Sequence, residues 1–337
     1  MSETTLATHS SDTKNDLVFT GKGGEFFGIW IVNVLLTICT LGIYSAWAKV
    51  RTTNYFYGNT KLRGSPFAYT ANPIGILKGR IIAFLAFLAY TFLGKSSPEF
   101  AVFFLLLLAL LAPFVIVRSL NFRLQNTEYR GVRFKFQGKT GEAYGIFLGG
   151  YLLVMLTLGI LFPWWEKRRK EFYVSNVRFG TSEFTCNPEV SFFYKTAGII
   201  FVVFAVLLIG IVFLASLGAG GVEFMTIMIY PIMGILAAFW FSRVTNHIFA
   251  VSKLDAVRFK SELETGQLVG LWVGNLILLA VTIGLATPWV MVRNARYRIS
   301  KTTVLADNLD SFFAEQKDKS SALGEEIGEA FDIDLAI

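Results

Sequence analysis

Long apolar stretches alternate along the chain with short clusters of basic and aromatic residues. Seven stretches stand out, at 26–48, 81–94, 100–117, 143–165, 196–222, 224–242 and 265–292. A helix that crosses a bilayer needs about 20 mainly apolar residues, and these stretches approach or exceed that length. The shortest, 81–94, reaches it if Lys78 and Arg80 extend their stems toward the headgroups. The pattern predicts an all-α polytopic membrane protein with about seven apolar segments and small cytoplasmic β elements in its loops. Composition agrees: 54% of the 337 residues are hydrophobic and 16% are charged, too apolar for an ordinary soluble domain.

Three of the stretches end alike. Thr40-Leu41-Gly42-Ile43 precedes Trp47 and Arg51, Thr157-Leu158-Gly159-Ile160 precedes Trp164 and Arg168, and Thr282-Ile283-Gly284-Leu285 precedes Trp289 and Arg293. At the offset of the later two copies, Arg118-x-x-Asn121 recurs as Arg243-x-x-Asn246, and Val132-Arg133-Phe134 as Val257-Arg258-Phe259. These matches divide the chain into a polar N-terminus (1–18), membrane repeat 1 (19–133), membrane repeat 2 (134–258), a partial repeat 3 (259–306) and an acidic tail (307–337). The tail carries nine acidic residues and two lysines, a net −7, so the +7 of the whole chain leaves +14 on residues 1–306. It reads as a disordered or weakly helical solubilising terminus. Residues 1–18 lack the apolar core of a cleavable signal, which makes the first apolar stretch an uncleaved anchor.

Charge predicts orientation. The links Lys95-Ser96-Ser97-Pro98-Glu99 and Gly218-Ala219-Gly220-Gly221 are poor in basic residues and are expected outside, and the strongly basic loops are expected in the cytoplasm. Segments 26–48, 143–165 and 265–292, however, have basic flanks at both ends. Either each crosses once, which makes the repeats inverted, or each dips into the inner leaflet and returns. Length argues for crossing. Charge argues for a dip, and the Thr-x-Gly break with Pro163 and Pro288 offers a place to turn.

After the break, Trp47, Arg51 and Tyr55 follow a helical spacing, as do Trp164, Arg168 and Phe172, and Trp289, Arg293 and Tyr297. Aromatic rings flanking an arginine on one helix face suit the bilayer interface, with cation–π contact and the guanidinium near lipid phosphate. Trp47, Arg51, Trp164, Arg168, Trp289 and Arg293 are therefore the candidate headgroup contacts. Tyr129-Arg130-Gly131-Val132-Arg133-Phe134-Lys135-Phe136 alternates like a half-buried strand, and Leu17-Val18-Phe19-Thr20 is a candidate partner strand.

Phe19-Thr20-Gly21, Asn33-Val34-Leu35-Leu36-Thr37, Thr40-Leu41-Gly42-Ile43-Tyr44, Trp47 and Tyr55-x-Tyr57 resemble the YjgN-like family of bacterial inner-membrane proteins, over most of residues 17–306. The resemblance implies a multi-pass protein of the bacterial cytoplasmic membrane and no assigned activity.

Chemistry is sparse. His9 and His247 have no partner at metal-ligand spacing, and Gly21-Lys22-Gly23-Gly24 lacks the ending of a phosphate-binding loop. Cys39 and Cys186 suggest no structural disulfide. No catalytic residue, metal or cofactor is predicted, and the basic loops beside a bilayer argue against nucleic acid. Asn33 and Asn275 are the candidate buried polar residues. The expected function is non-enzymatic: a basic, aromatic cytoplasmic face that binds anionic lipid headgroups, with a protein partner or second copy as a further possibility. The alternative is a small-solute transporter or channel built from inverted repeats.

Overall fold

The computed structural model describes residues 13–94, 97–216, 222–319 and 322. Its organising element is a closed antiparallel barrel of ten short strands: β1 (Lys14–Phe19), β2 (Thr60–Leu62), β3 (Ser65–Tyr69), β4 (Thr127–Tyr129), β5 (Val132–Phe136), β6 (Val177–Phe179), β7 (Ser182–Cys186), β8 (Ser252–Leu254), β9 (Val257–Ser261) and β10 (Thr302–Leu305). Each strand pairs with its neighbours in sequence. β10 closes on β1 through Lys14 opposite Leu305 and Asp16 opposite Thr303, so no edge is left open. Alternation decides the faces: in β5, Val132 and Phe136 are buried while Arg133 and Lys135 are exposed. The expected pairing of the segment at Leu17 is present, with Leu17 opposite Leu62 and Val18 opposite Lys61.

The all-α expectation is therefore corrected. The chain is mainly helical, yet its strands close a barrel: the run Tyr129–Phe136, expected to be one strand, is split by the turn Arg130-Gly131 into the end of β4 and the whole of β5, and such strand pairs join one another across the helical connections. Four two-residue turns, Arg63-Gly64, Arg130-Gly131, Gly180-Thr181 and Asp255-Ala256, join β2–β3, β4–β5, β6–β7 and β8–β9. The first two have positive φ at both positions (47° and 78°; 50° and 84°), the backbone that matches the twist of a tight hairpin.

The other five connections are helical hairpins: α1 (Gly23–Cys39) with α2 (Ser45–Gly58), α3 (Pro73–Gly94) with α4 (Pro98–Gln125), α5 (Thr140–Leu156) with α6 (Phe162–Ser175), α7 (Val190–Ser216) with α8 (Val222–Val251), and α9 (Thr265–Val281) with α10 (Thr287–Ser300). In an up-and-down barrel, alternate connections lie at the same end. All five hairpins thus rise from one end, and the four turns lie at the other. Neighbouring helices pack around the ring, and α10 returns to α1; the second helix of each pair rests on a strand, α2 on β3, α4 on β5, α6 on β7, α8 on β9 and α10 on β1. Such an arrangement relates the hairpins by rotation about the barrel axis, not by inversion.

Four of the described helices are long and apolar enough to cross a membrane: Pro73–Phe92, Glu99–Gln125, Val190–Ser216 and Ile227–Val251. This replaces the expected seven. The remaining three segments, 26–48, 143–165 and 265–292, are interrupted, and each apolar helix within them (α1, α5, α9) is too short to count as a span. The turn-back is built into the repeated motif. Leu41, Leu158 and Ile283 adopt left-handed φ of 49°, 51° and 50°, followed by Gly42, Gly159 and Gly284 at 92°, 90° and 83°. The glycine amides reach back to the Thr37, Val154 and Leu279 carbonyls, each at 2.8 Å, which is the Schellman helix stop. The Thr40 hydroxyl then serves both helices, donating to the Leu36 carbonyl and accepting from the Tyr44 amide. Thr157 and Thr282 repeat this pattern toward Leu161 and Ala286. We predict that Gly42→Ala, Gly159→Ala and Gly284→Ala each cost roughly 1–2 kcal/mol, read as lower thermal stability in detergent, because a side chain is strained at that φ. Of the links on which the expectation of outside loops rested, Lys95-Ser96 and all of 218–221 lie outside the described residues, while Pro98-Glu99 open α4.

The acidic tail begins with structure. Residues 309–319 are helical, and Leu309 and Phe313 pack inside the barrel against Tyr129, Val132, Phe179, Leu254, Val257 and Val304. This segment plugs the turn end of the barrel. Most of the tail beyond it lies outside the described residues.

Candidate functional site

The hairpins place one residue type at one height. Arg51, Arg118, Arg168, Arg243 and Arg293 each stand nine residues before the first residue of a strand (60, 127, 177, 252 and 302). At about 1.5 Å per helical residue they lie roughly 13 Å above the barrel rim. All five are exposed. Four residues earlier stands an aromatic ring in every case: Trp47, Phe114, Trp164, Phe239 and Trp289. One residue before that ring stands a buried small residue or proline: Ala46, Pro113, Pro163, Ala238 and Pro288. The aromatic ring, the arginine and the buried anchor form a belt around the molecule.

Sequence reading found three of the five members. Arg118 and Arg243 stand out in the sequence as an Arg-x-x-Asn pair at a membrane exit, able to hold a headgroup but read first as snorkelling anchors, because their helices are long and lack the Thr-x-Gly break. The overlooked signal was their constant distance to the following strand. Among the described residues, none of the three expected cation–π pairs, Trp47/Arg51, Trp164/Arg168 and Trp289/Arg293, forms; the i, i+4 contact occurs instead where it was not expected, in the fourth hairpin, with Arg243 over Phe239 at 5.6 Å. Trp47 instead stacks on Tyr44, and Trp289 packs on Phe27 and against Gly23, where any Cβ would clash with the indole. In the third hairpin the ring contact is shifted by one residue, with Arg169 over Trp165 at 4.8 Å, while Arg168 pairs with Glu171. A cavity of about 530 Å³ opens beside Trp289 and Arg293, walled by Phe27, Leu278, Thr282 and Leu285.

Asn33 and Asn275 are buried as expected, and each bonds across its own hairpin. Asn33 reaches the Thr52 hydroxyl at 3.5 Å and Asn275 donates to the Asn294 side chain at 3.0 Å. The third hairpin replaces this staple: Gly150 makes room for Trp165, whose indole N–H donates to the Ile146 carbonyl at 2.8 Å within the π-helical turn Tyr144–Gly149. The asparagines thus hold helices together. At the barrel rim, Tyr55 bridges Lys22 through its amide and carbonyl, and Tyr297 does the same to Glu264.

The turn end carries the other polar cluster. Asp310 of the plug bridges Arg130 at 2.6 Å and Arg63 at 2.9 Å, and Gln316 accepts from the amide and hydroxyl of Thr181. The hydrogen bond from Arg130 holds the Asp310 carboxyl below its ordinary range, and Asp310 in turn raises Arg130. Among the described residues, no three His, Cys, Asp or Glu side chains stand together as metal ligands. His247 stacks on Phe192 at 3.8 Å. Cys186 is buried, which pushes its thiol pKa up and makes it a poor nucleophile.

Comparison with known proteins places this chain in a family. Residues 14–330 match the family model described as "Bacterial protein of unknown function (DUF898)". The chain is similar to "Inner membrane protein YjgN" of Salmonella typhimurium, 36% identical over 156 residues, covering 45% of this chain and 39% of the relative. The protein of the same name from Escherichia coli K12 is 37% identical over 129 residues, covering 36% of this chain and 31% of the relative. The matched stretches thus span well under half of each relative's own length. No solved structure matches. With a family match over nearly all of the folded chain and four membrane-length apolar helices, this is an integral membrane protein that belongs to the YjgN-like, DUF898 family.

Proposed function

We propose that the protein resides in the bacterial inner membrane with its barrel on the cytoplasmic side, and that its duplicated hairpins grip anionic lipid headgroups through the arginine belt. In this reading the two long hairpins, α3–α4 and α7–α8, cross the bilayer. The three short ones re-enter the inner leaflet and turn back at Leu41, Leu158 and Ile283. The barrel then lies in the cytoplasm, where its basic outer wall (Lys61, Arg133, Lys135, Arg178) meets a negative surface.

The observation that carries this reading is the belt: five exposed arginines at one height, each with an aromatic ring one helical turn farther from the barrel. With the barrel in water, that height is where phosphate lies, and the rings fall just inside the hydrocarbon boundary. The near-complete exposure of Leu41 (95%), Leu158 (94%) and Ile283 (93%) supports immersion of the short tips, since three such side chains at strained turns gain nothing from water. A basic residue near an anionic surface contributes about 1 kcal/mol, roughly a fivefold effect on lipid enrichment.

The test replaces Arg51, Arg118, Arg168, Arg243 and Arg293 with glutamine, singly and together, and weighs co-purified anionic against zwitterionic lipid by mass spectrometry. Each single change is expected to lower anionic enrichment severalfold, and the fivefold variant to abolish it while the protein stays folded. Unchanged enrichment in the fivefold variant would rule the reading out.

A further inference from the structure

The barrel interior is not filled by its own strands and plug. A cavity of about 280 Å³ remains, walled by apolar side chains that include Phe67, Phe134, Phe179, Phe184 and Phe259. Folded interiors hold few voids larger than a water molecule, and a space with apolar walls does not hydrate. Its floor is the plug, through Leu309, Phe312 and Phe313. Toward the helical end it shares walls with three further cavities between second helices. One of about 250 Å³, between α2 and α4, shares Leu17, Phe67 and Phe134. One of about 280 Å³, between α8 and α10, shares Phe249 and Thr302. The widest, about 450 Å³, shares Phe184, Phe249 and Phe259, lies between α4, α6 and α8, and includes Arg123 and Tyr173.

No Asp or Glu lines any of these four spaces. The four spaces share walls from the plug to the helical end, and joined they would make one mainly apolar blind tunnel, with the exposed Arg123 lining the largest of them. We propose that this tunnel holds one acyl chain of an anionic membrane lipid, which enters between α4, α6 and α8 and leaves its phosphate against Arg123 beside Tyr173. Entry from the helical end follows from the plug, which blocks the other. An anionic headgroup follows from the charge at the mouth. The site uses none of the five belt arginines, so it and the belt reading fail separately.

The experiment uses the full chain in nanodiscs with lysophosphatidylglycerol bearing a diazirine at the end of its acyl chain. After photolysis, adducts are mapped by mass spectrometry. Adducts are expected on the barrel strands around Phe134, Phe184 and Phe259. Arg123→Gln is expected to lower lumen labelling about tenfold, the loss of one charge-assisted contact, and a monoacylglycerol probe with the same chain to label the lumen correspondingly less. Adducts confined to the outer faces of the helices would overturn the proposal. So would lumen labelling that is equal for the two probes and indifferent to Arg123→Gln.

Discussion

Single cysteines introduced as Lys22→Cys and Lys61→Cys, in a background with Cys39→Ala and Cys186→Ala, should react with a membrane-impermeant maleimide from one and the same side. The two positions flank the first apolar segment, which by length alone invites a single crossing. Phe19 pairs with Thr60 and Val18 with Lys61 in adjacent strands, and the Thr20 amide bonds the Asn59 carbonyl at 2.9 Å. Neighbouring strands are about 5 Å apart, whereas the hydrocarbon core is about 30 Å thick, so both sites share a compartment. The effect is all-or-none. The same result is expected for the corresponding flanks of α5–α6 and α9–α10, at Lys139 with Arg178 and at Glu264 with Lys301. Cysteines at Leu41, Leu158 and Ile283 should resist the reagent from both sides. Labelling of Lys22→Cys and Lys61→Cys from opposite sides would break the barrel topology itself, and with it the belt.

The second large effect concerns the plug. Leu309 is fully buried and Phe313 is 8% exposed, and both pack on the lumen walls. Removing them costs roughly 2–5 and 3–5 kcal/mol respectively. An eleven-residue segment held mainly by two such side chains cannot stay docked without them. Leu309→Ala with Phe313→Ala should convert Lys317 and Lys319 from slow to rapid tryptic sites, while the barrel, made of other residues, keeps its circular dichroism. Asp310→Asn removes the bridge to Arg63 and Arg130 and should speed cleavage by a smaller factor. Because Asp310 has a lowered pKa in the folded protein, its contribution is fully present above the ordinary carboxylate pKa of about 4 and disappears as pH falls through the lower folded value. Plug retention should thus be flat from pH 5 to 8, followed by hydrogen exchange of 309–319, and decline only in stronger acid. A double variant as resistant to trypsin as the parent would mean that the segment is held by something other than these contacts.

How much of this was legible in the sequence differs from element to element. The four long apolar helices could be read, since crossing length is a local property of consecutive residues. The strand character of Val132–Phe136 was also visible, because its apolar and basic residues alternate with period two, but the turn at Arg130-Gly131 that splits the run from Tyr129 was not. That ten such fragments close into one barrel was not. Each contributes only three to six residues, too short to be stable alone, and at least one of its two pairing partners lies tens of residues away on the far side of a helical hairpin. The belt shows the same limit. Trp47/Arg51, Trp164/Arg168 and Trp289/Arg293 shared a motif with the Thr-x-Gly break beside them. Phe114/Arg118 and Phe239/Arg243 share an Arg-x-x-Asn pattern with each other, but what joins them to the other three is their distance from a strand, which has no meaning until the strands are known.

The Thr-x-Gly motif shows where local and global information meet. Its threonine, left-handed residue and glycine dictate a helix stop wherever they occur, since the hydrogen bonds involved span only five residues. Segments 26–48, 143–165 and 265–292 were bound to break there. Whether the chain then continued across or turned back could not be read locally, because length and flanking charge pointed in opposite directions. Pairing of Phe19 with Thr60, of Phe136 with Val177, and of Ser261 with Thr302 resolves that conflict, since it fixes both ends of each hairpin to the same rim. Membrane residence, the helix stops and the basic-aromatic face follow from composition and short-range pattern. The direction of the hairpins, the five-membered belt and the plugged lumen follow from barrel closure, a long-range constraint that no single stretch of residues contains.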